Sequence, residues 1–108
     1  MADFVIKQND TSPIIVAFLQ DEKGNAVDIS GADVQFHMAD YQEEIAVVDE
    51  QAVIEDALNG EVSYNWKSGD TLHAETYKAE FEVTFADGAV ETFPNKDYII
   101  IEVEKELA

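Results

Sequence analysis

Residues 76–85 alternate between apolar and polar side chains almost without interruption, and this period of two is the strongest constraint on the fold. Successive side chains of a β-strand point to opposite faces, so such a segment forms a strand with one apolar and one polar face. The apolar face consists of Tyr77, Ala79, Phe81, Val83 and Phe85. The Asp87-Gly88 pair that follows suits a tight hairpin turn, because glycine accepts the positive φ that the turn needs. The segment therefore predicts a β-hairpin in a sheet with one buried face.

Shorter segments of the same kind recur along the chain, with turn-forming residues about every 8 to 12 positions. Residues 33–38 and 61–66 alternate clearly, and residues 26–29 and 45–48 are also interpreted as strands. Residues 49–58 fit one face of a helix as well, but the Asn59-Gly60 pair after them favours a strand and a hairpin. We predict an all-β protein of eight or nine strands, arranged as an antiparallel β-sandwich or barrel.

The length of 108 residues predicts that residues 1–108 form a single domain. Its core is expected to contain Phe18, Val34, Phe36, Trp66, Tyr77, Phe81, Phe85 and Ile101. The longest apolar run, residues 14–19, is far shorter than the ~20 residues of a membrane span. The first residues lack the basic segment of a signal peptide, so we expect the chain to be made in a cytoplasm.

The charge is strongly negative, since 24 acidic residues stand against six lysines and the net charge is −18. Such a surface repels nucleic acid and anionic membranes, because binding to phosphates depends on lysine and arginine. It attracts a basic protein surface. High solubility or a salt-rich source would also explain the acidity, and composition does not separate these explanations.

Few residues point to chemistry. The chain has no cysteine, and its two histidines, His37 and His73, lack a second ligand at the spacing of a zinc site. Residues 21–25 resemble a calcium loop in composition only, whereas the acidic residues 40–44 leave open a calcium ion held by several loops. No nucleophile elbow, phosphate loop or dinucleotide motif is present. We predict a protein that is not an enzyme and has no cofactor and no metal site.

The candidate interaction residues come from strand alternation. If Ile99, Ile101 and Val103 face the core, Tyr98 and Ile100 must face outward. The same logic exposes either Ile15 and Leu19 or Ile14 and Phe18 in the apolar run. The predicted interface residues are Ile15, Leu19, Tyr98 and Ile100. An outward apolar cluster on an acidic surface is a candidate docking patch, unless the strand is covered on both faces. Free edge strands are a second route to association.

The order of the turns and strands resembles one family, the N-terminal domain of phage baseplate upper proteins. The segments that carry the resemblance are Gln8-Asn9-Asp10-Thr11-Ser12-Pro13, Gly24, Val27-Asp28-Ile29-Ser30-Gly31-Ala32, Val34, Phe36, Gly60-Glu61-Val62-Ser63-Tyr64-Asn65-Trp66, Tyr77-Lys78-Ala79-Glu80-Phe81, Asp87-Gly88 and Thr92-Phe93-Pro94. Together they span nearly the whole chain.

This resemblance implies an immunoglobulin-like sandwich that serves as a non-enzymatic structural module of a phage tail or baseplate. The expected location is the virion, and the expected partners are other phage structural proteins or further copies of the chain. Family members usually continue into a larger C-terminal region, so the chain is expected to be a freestanding virion component or a piece cut at a domain boundary. The alternative is an adhesive or ligand-binding sandwich that holds carbohydrate or calcium at its loops.

Overall fold

This computed structural model describes residues 2–107 of the chain. These residues form two β-sheets whose apolar faces pack against each other. The described residues contain nine strands. Their bounds are β1 Phe4–Lys7, β2 Ile15–Phe18, β3 Asp33–Asp40, β4 Ala46–Gln51, β5 Val53–Asp56, β6 Glu61–Tyr64, β7 Thr76–Thr84, β8 Val90–Phe93 and β9 Ile99–Glu104. The predicted immunoglobulin-like β-sandwich is therefore confirmed.

The larger sheet is organised around β7, the strand with the clearest alternation in the sequence. Its strand order is β1-β9-β7-β3-β4, and β8 also pairs with β7. Strand β3 follows one side of β7 from end to end, whereas β9 and β8 share the other side. The β7–β8 pair is the predicted hairpin, closed by hydrogen bonds between Phe85 and Ala89 and between Gly88 and Phe85.

One pair departs from the predicted antiparallel arrangement. Strand β1 runs parallel to β9, with Phe4 opposite Ile101 and Ile6 opposite Val103. Local sequence carries no signal for this pairing, because a parallel partner lies far away along the chain.

The core between the sheets is built on stacked aromatic rings. Phe36 of β3 stacks on Tyr64 of β6, with ring centroids 4.5 Å apart, and Trp66 meets both rings edge to face at 6.0 and 5.4 Å. Phe81 lies 5.1 Å from Phe36. Aromatic pairs in such tilted or offset arrangements contribute roughly 0.5–1.5 kcal/mol beyond the area that they bury. These contacts join β3 and β7 of the larger sheet to β6 of the smaller one.

The smaller sheet, in the order β2-β6-β5, corrects the prediction for the apolar run. Ile15 and Leu19 point into the core and are each only 3% exposed, so their predicted place on the surface is wrong. Phe18, which was expected in the core, is 60% exposed. Ile15 pairs with Tyr64 of the central strand β6, and this register turns Phe18 to the outer face.

Three further segments differ from the sequence prediction. Residues 26–29 form no strand, and their only strand-like pairing is an isolated bridge between Ala26 and Gln20. Strand β4 begins one residue later than residues 45–48 suggested. Residues 49–58 are mostly extended, as preferred, but Ala57–Asn59 forms a short 3₁₀ turn before Gly60. Phe85, which was expected in the core, directly follows β7 and is half-buried.

Candidate docking surface

The outer face of the larger sheet carries an apolar patch centred on Lys78. We call it the Lys78 patch, and it consists of Ala39, Tyr41, Ala46, Lys78, Tyr98 and Ile100. Strand register creates it, since Lys78 of β7 lies opposite Ala39 of β3 and Ile100 of β9. Ala46 of β4 pairs with Ala39 and extends the same row. Small alanine side chains leave room there, and a groove of about 210 Å³ lies along the row.

Lys78 is held between two tyrosine rings. Its Nζ lies 4.7 Å from the ring centroid of Tyr98 and 5.7 Å from that of Tyr41. The side chain is only 14% exposed although it points away from the core. A cation over an aromatic face is attracted by the ring quadrupole, and the methylene stem adds apolar contact. The lysine thus joins two aromatic rings into one surface.

The loop after β3 supplies the counter-charge. Glu44 accepts a hydrogen bond from Lys78 Nζ, and this contact, offset in part by desolvation, raises the pKa of the lysine above its ordinary value. The Asp40 carboxylate accepts hydrogen bonds from the backbone N–H groups of Glu43 and Glu44, which fixes the turn. The loop therefore presents Tyr41 beside Lys78 in a defined position.

Acidic residues surround the patch. His37 of β3 lies between two of them, with Nε2 3.3 Å from Asp49 and Nδ1 3.3 Å from Glu80. Glu82 and Glu102 continue the acidic rim along β7 and β9. An apolar centre inside a charged rim is the usual composition of a protein docking site.

The structure brings together two of the four predicted interface residues. Tyr98 is 43% exposed and Ile100 is half-buried, and both lie beside Lys78. Ile15 and Leu19 lie instead in the core between the sheets. A role of Tyr98 and Ile100 in binding stays a prediction.

Sequence reasoning missed Tyr41 and Lys78 as members of this surface. Alternation predicted that Lys78 faces solvent, but no local sequence signal showed that two tyrosine rings would cover its ammonium group. Tyr41 lies in the polar stretch 40–44, and only the return of that loop over β7 brings its ring to Lys78.

The two histidines, which were considered as possible metal ligands, make structural contacts. Both ring nitrogens of His37 face carboxylates, and the carbonyl of His73 accepts a hydrogen bond from Tyr77. Among residues 2–107, no three His, Cys, Asp or Glu side chains lie close enough together to hold a metal ion. The same residues contain no helix with the length and apolarity that crossing a membrane requires.

Comparisons with known proteins agree with this architecture. The family model of the BppU N-terminal domain matches residues 3–100. A search of curated protein sequences gives no significant match. The fold is similar to that in the crystal structure of CopC from Methylosinus trichosporium OB3b, with a TM-score of 0.57. The two chains are 14% identical over all of this chain and 89% of the other, so the likeness concerns the fold alone.

Proposed function

Because the chain belongs to the BppU N-terminal domain family, which suggests a structural module of a phage baseplate, we propose that it is a non-enzymatic virion protein that docks on other virion proteins through the Lys78 patch. The observation that carries this proposal is the covered lysine between Tyr41 and Tyr98 inside an acidic rim. Tyrosine is among the residue types that dominate binding energy at protein interfaces.

The electrostatics favour a protein partner over other macromolecules. A net charge of −18 opposes contact with nucleic acid and with anionic lipid, whereas it speeds association with a basic protein surface. Lys78 adds little positive charge to the surface because Glu44 neutralises it. The partner surface is therefore expected to carry an apolar centre with lysine or arginine around it.

The test replaces Tyr98 with aspartate in the phage that encodes the chain. Tyr98→Asp removes the aromatic ring that covers Lys78 and places a charge in the apolar part of the contact, where burial of a charge typically costs several kcal/mol. We expect the amount of the chain in purified particles, measured by quantitative mass spectrometry, to fall at least about tenfold, the factor that 1.4 kcal/mol produces.

Val90→Asp is the matched control. Val90 is an exposed apolar residue on the same sheet face, but it pairs with Thr84 at the far end of β7 from Lys78. This variant is expected to enter particles at the wild-type level. Equal incorporation of wild type and Tyr98→Asp would contradict the proposal. A rise of several degrees in melting temperature with calcium or a sugar would instead favour the ligand-binding alternative.

A further inference from the structure

The outer edge of β2 has backbone groups that are free to pair with another strand. β2 is the edge strand of the smaller sheet, and its inner side pairs with β6. Leu19 N–H donates to the carbonyl of Gly60 at 2.8 Å. Hydrogen-bonded residues alternate along an antiparallel pair, so Ala17 also faces β6 whereas Val16 and Phe18 direct their N–H and C=O groups outward.

Gln20 continues this free edge. The backbone groups of its two neighbours, Leu19 and Asp21, bond to residues 25–27. Val27 N–H donates to the Leu19 carbonyl, and Asp21 N–H donates to the Asn25 carbonyl. Alternation then leaves the N–H and C=O of Gln20 on the same outer side as those of Val16 and Phe18. Across the described residues, the backbone hydrogen bonds found outside the strand pairings include none from these three residues.

An apolar groove follows the same edge. It has a volume of about 320 Å³ and lies between β2 and the junction of β8 and β9 in the larger sheet. Phe93, Pro94 and Ile99 line the far side, and Ala17 and Leu19 line the near side. The groove therefore borders the edge strand of the three-stranded sheet on one side and the six-stranded sheet on the other.

The edge strand β2 is short, but it lacks the charged, proline and glycine residues that commonly block strand addition. Residues 14–19 contain no charged side chain, no proline and no glycine. Phe18 and Val16 are 60% and 46% exposed on the outer face beside the free backbone groups. Edges that are not meant to pair are commonly blocked by lysine, proline or a bulge.

We propose that β2 accepts an extended segment of a basic partner protein, which pairs with Val16, Phe18 and Gln20 and places its inward apolar side chains in the groove. The inference rests on the proposed function, because it names a second contact of the same assembly module. The charge selects the occupant: Glu61 lies opposite Phe18, Asp21 borders the groove, and the chain carries −18 overall. A second copy would add an equal negative charge, whereas lysine or arginine on the outward face of the segment is complementary.

The test uses a short synthetic peptide that alternates valine with lysine as the probe, with the full chain in solution. Hydrogen exchange followed by NMR is expected to slow about tenfold or more at the N–H groups of Val16, Phe18 and Gln20. Ala17, which already faces β6, is expected to keep its exchange rate. Of two versions of the peptide methylated on alternate backbone nitrogens, one must keep binding and the other must lose it, because only one edge of the added strand faces β2.

Protein variants provide a second readout. Val16→Pro removes an outward N–H that has no strand partner and is expected to abolish binding while the chain stays folded, since edge positions tolerate proline. Val16→Ala keeps the N–H and is expected to bind the peptide within about threefold of wild type, because only side-chain contact changes. A peptide that alternates valine with glutamate is expected to bind at least about tenfold more weakly.

Several results would overturn the inference. These are unchanged exchange at the three N–H groups, equal binding of the acidic peptide, or protection that grows with protein concentration without peptide, which would identify a second copy as the occupant. Peptide binding is to be repeated with Tyr98→Asp, where it should be unchanged. If the wild-type chain fails to bind the basic peptide but Tyr98→Asp is depleted from particles, this inference alone is defeated. If the peptide binds but Tyr98→Asp enters particles at the wild-type level, only the proposed docking through the Lys78 patch is defeated.

Discussion

The Tyr77 hydroxyl shows how one buried polar atom is accommodated in the apolar face of β7. Tyr77 is buried, and its Oη donates a hydrogen bond to the carbonyl of His73 at 2.8 Å. Burial, followed by the negative charge of Glu75, raises the pKa of the Tyr77 phenol from 10.0 to about 12. The neutral phenol is therefore the form that the folded chain stabilises.

This shift predicts the alkaline behaviour of the protein. Tyr77 ionises near pH 10 in the unfolded chain but only near pH 12 in the folded chain. Its contribution to the free energy of unfolding is therefore complete below pH 10 and is lost as the pH rises toward 12. Tyr77→Phe is expected to reduce the fall in unfolding free energy over that interval. At neutral pH it should cost about 1 kcal/mol for the lost hydrogen bond.

Urea unfolding at several pH values between 9 and about 12 measures both effects, the upper limit being the folded pKa of Tyr77. Tyr41→Phe is the control for the loss of a hydroxyl, because Tyr41 is exposed and surface substitutions usually change the unfolding free energy by less than about 0.5 kcal/mol. An unaltered alkaline slope in Tyr77→Phe would show that this phenol is not the group responsible.

At the scale of elements, the turn between β5 and β6 depends on Gly60. Its φ is +67°, a left-handed backbone conformation that residues with a side chain rarely adopt. A Cβ at this position would lie 2.7 Å from the Leu19 carbonyl oxygen and 2.8 Å from that of Val27. The glycine is therefore needed both for its conformation and for the close approach of two other backbone segments.

Gly60→Ala and Gly24→Ala separate these two requirements. Gly24 also has a positive φ, +84°, but a Cβ there meets nothing within 4 Å. Gly24→Ala is expected to cost about 1 kcal/mol for conformation alone. Gly60→Ala should cost at least about 2 kcal/mol more, because backbone atoms must move. Denaturant midpoints at constant m-value measure the difference, and equal losses would contradict the contact geometry at Gly60.

The elements also show what local sequence can predict. The β7–β8 hairpin was predictable because alternation and an Asp-Gly turn act within a few residues. The facing of β2 was not, since residues 14–19 are all apolar and their pattern contains no alternation to fix which side is buried. Of the Lys78 patch, Tyr98 and Ile100 followed from alternation in β9, whereas Tyr41 depends on a loop that returns across the sheet.

At the scale of the whole molecule, we expect repulsion among negative charges to be the dominant electrostatic effect. The chain has 24 acidic residues and six lysines, and within residues 2–107 three lysines form ion pairs with acidic side chains, namely with Glu104, Glu50 and Glu44. Exposed ion pairs contribute roughly 0–1 kcal/mol each. With an excess of 18 negative charges, we expect repulsion among the acidic residues to outweigh these pairs, so screening should stabilise the fold.

Sodium chloride is therefore expected to raise the melting temperature by several degrees between 0.01 and 1 M, as the Debye length falls from about 30 to about 3 Å. Differential scanning calorimetry measures the change. A triple variant, Glu22→Gln, Glu43→Gln and Glu102→Gln, removes three exposed negative charges and should show a smaller salt effect. A melting temperature that falls with salt would mean that the ion pairs outweigh the repulsion.

The docking face of the whole module is tested most directly by hydroxyl-radical footprinting of the chain in purified phage particles and free in solution. The account predicts that Tyr41, Tyr98 and Ile100 are labelled several-fold less in particles, whereas Val90 and Leu58, which are exposed elsewhere, are labelled equally in both. Equal labelling of the Lys78 patch in the two states, or particles that lack the chain altogether, would contradict it.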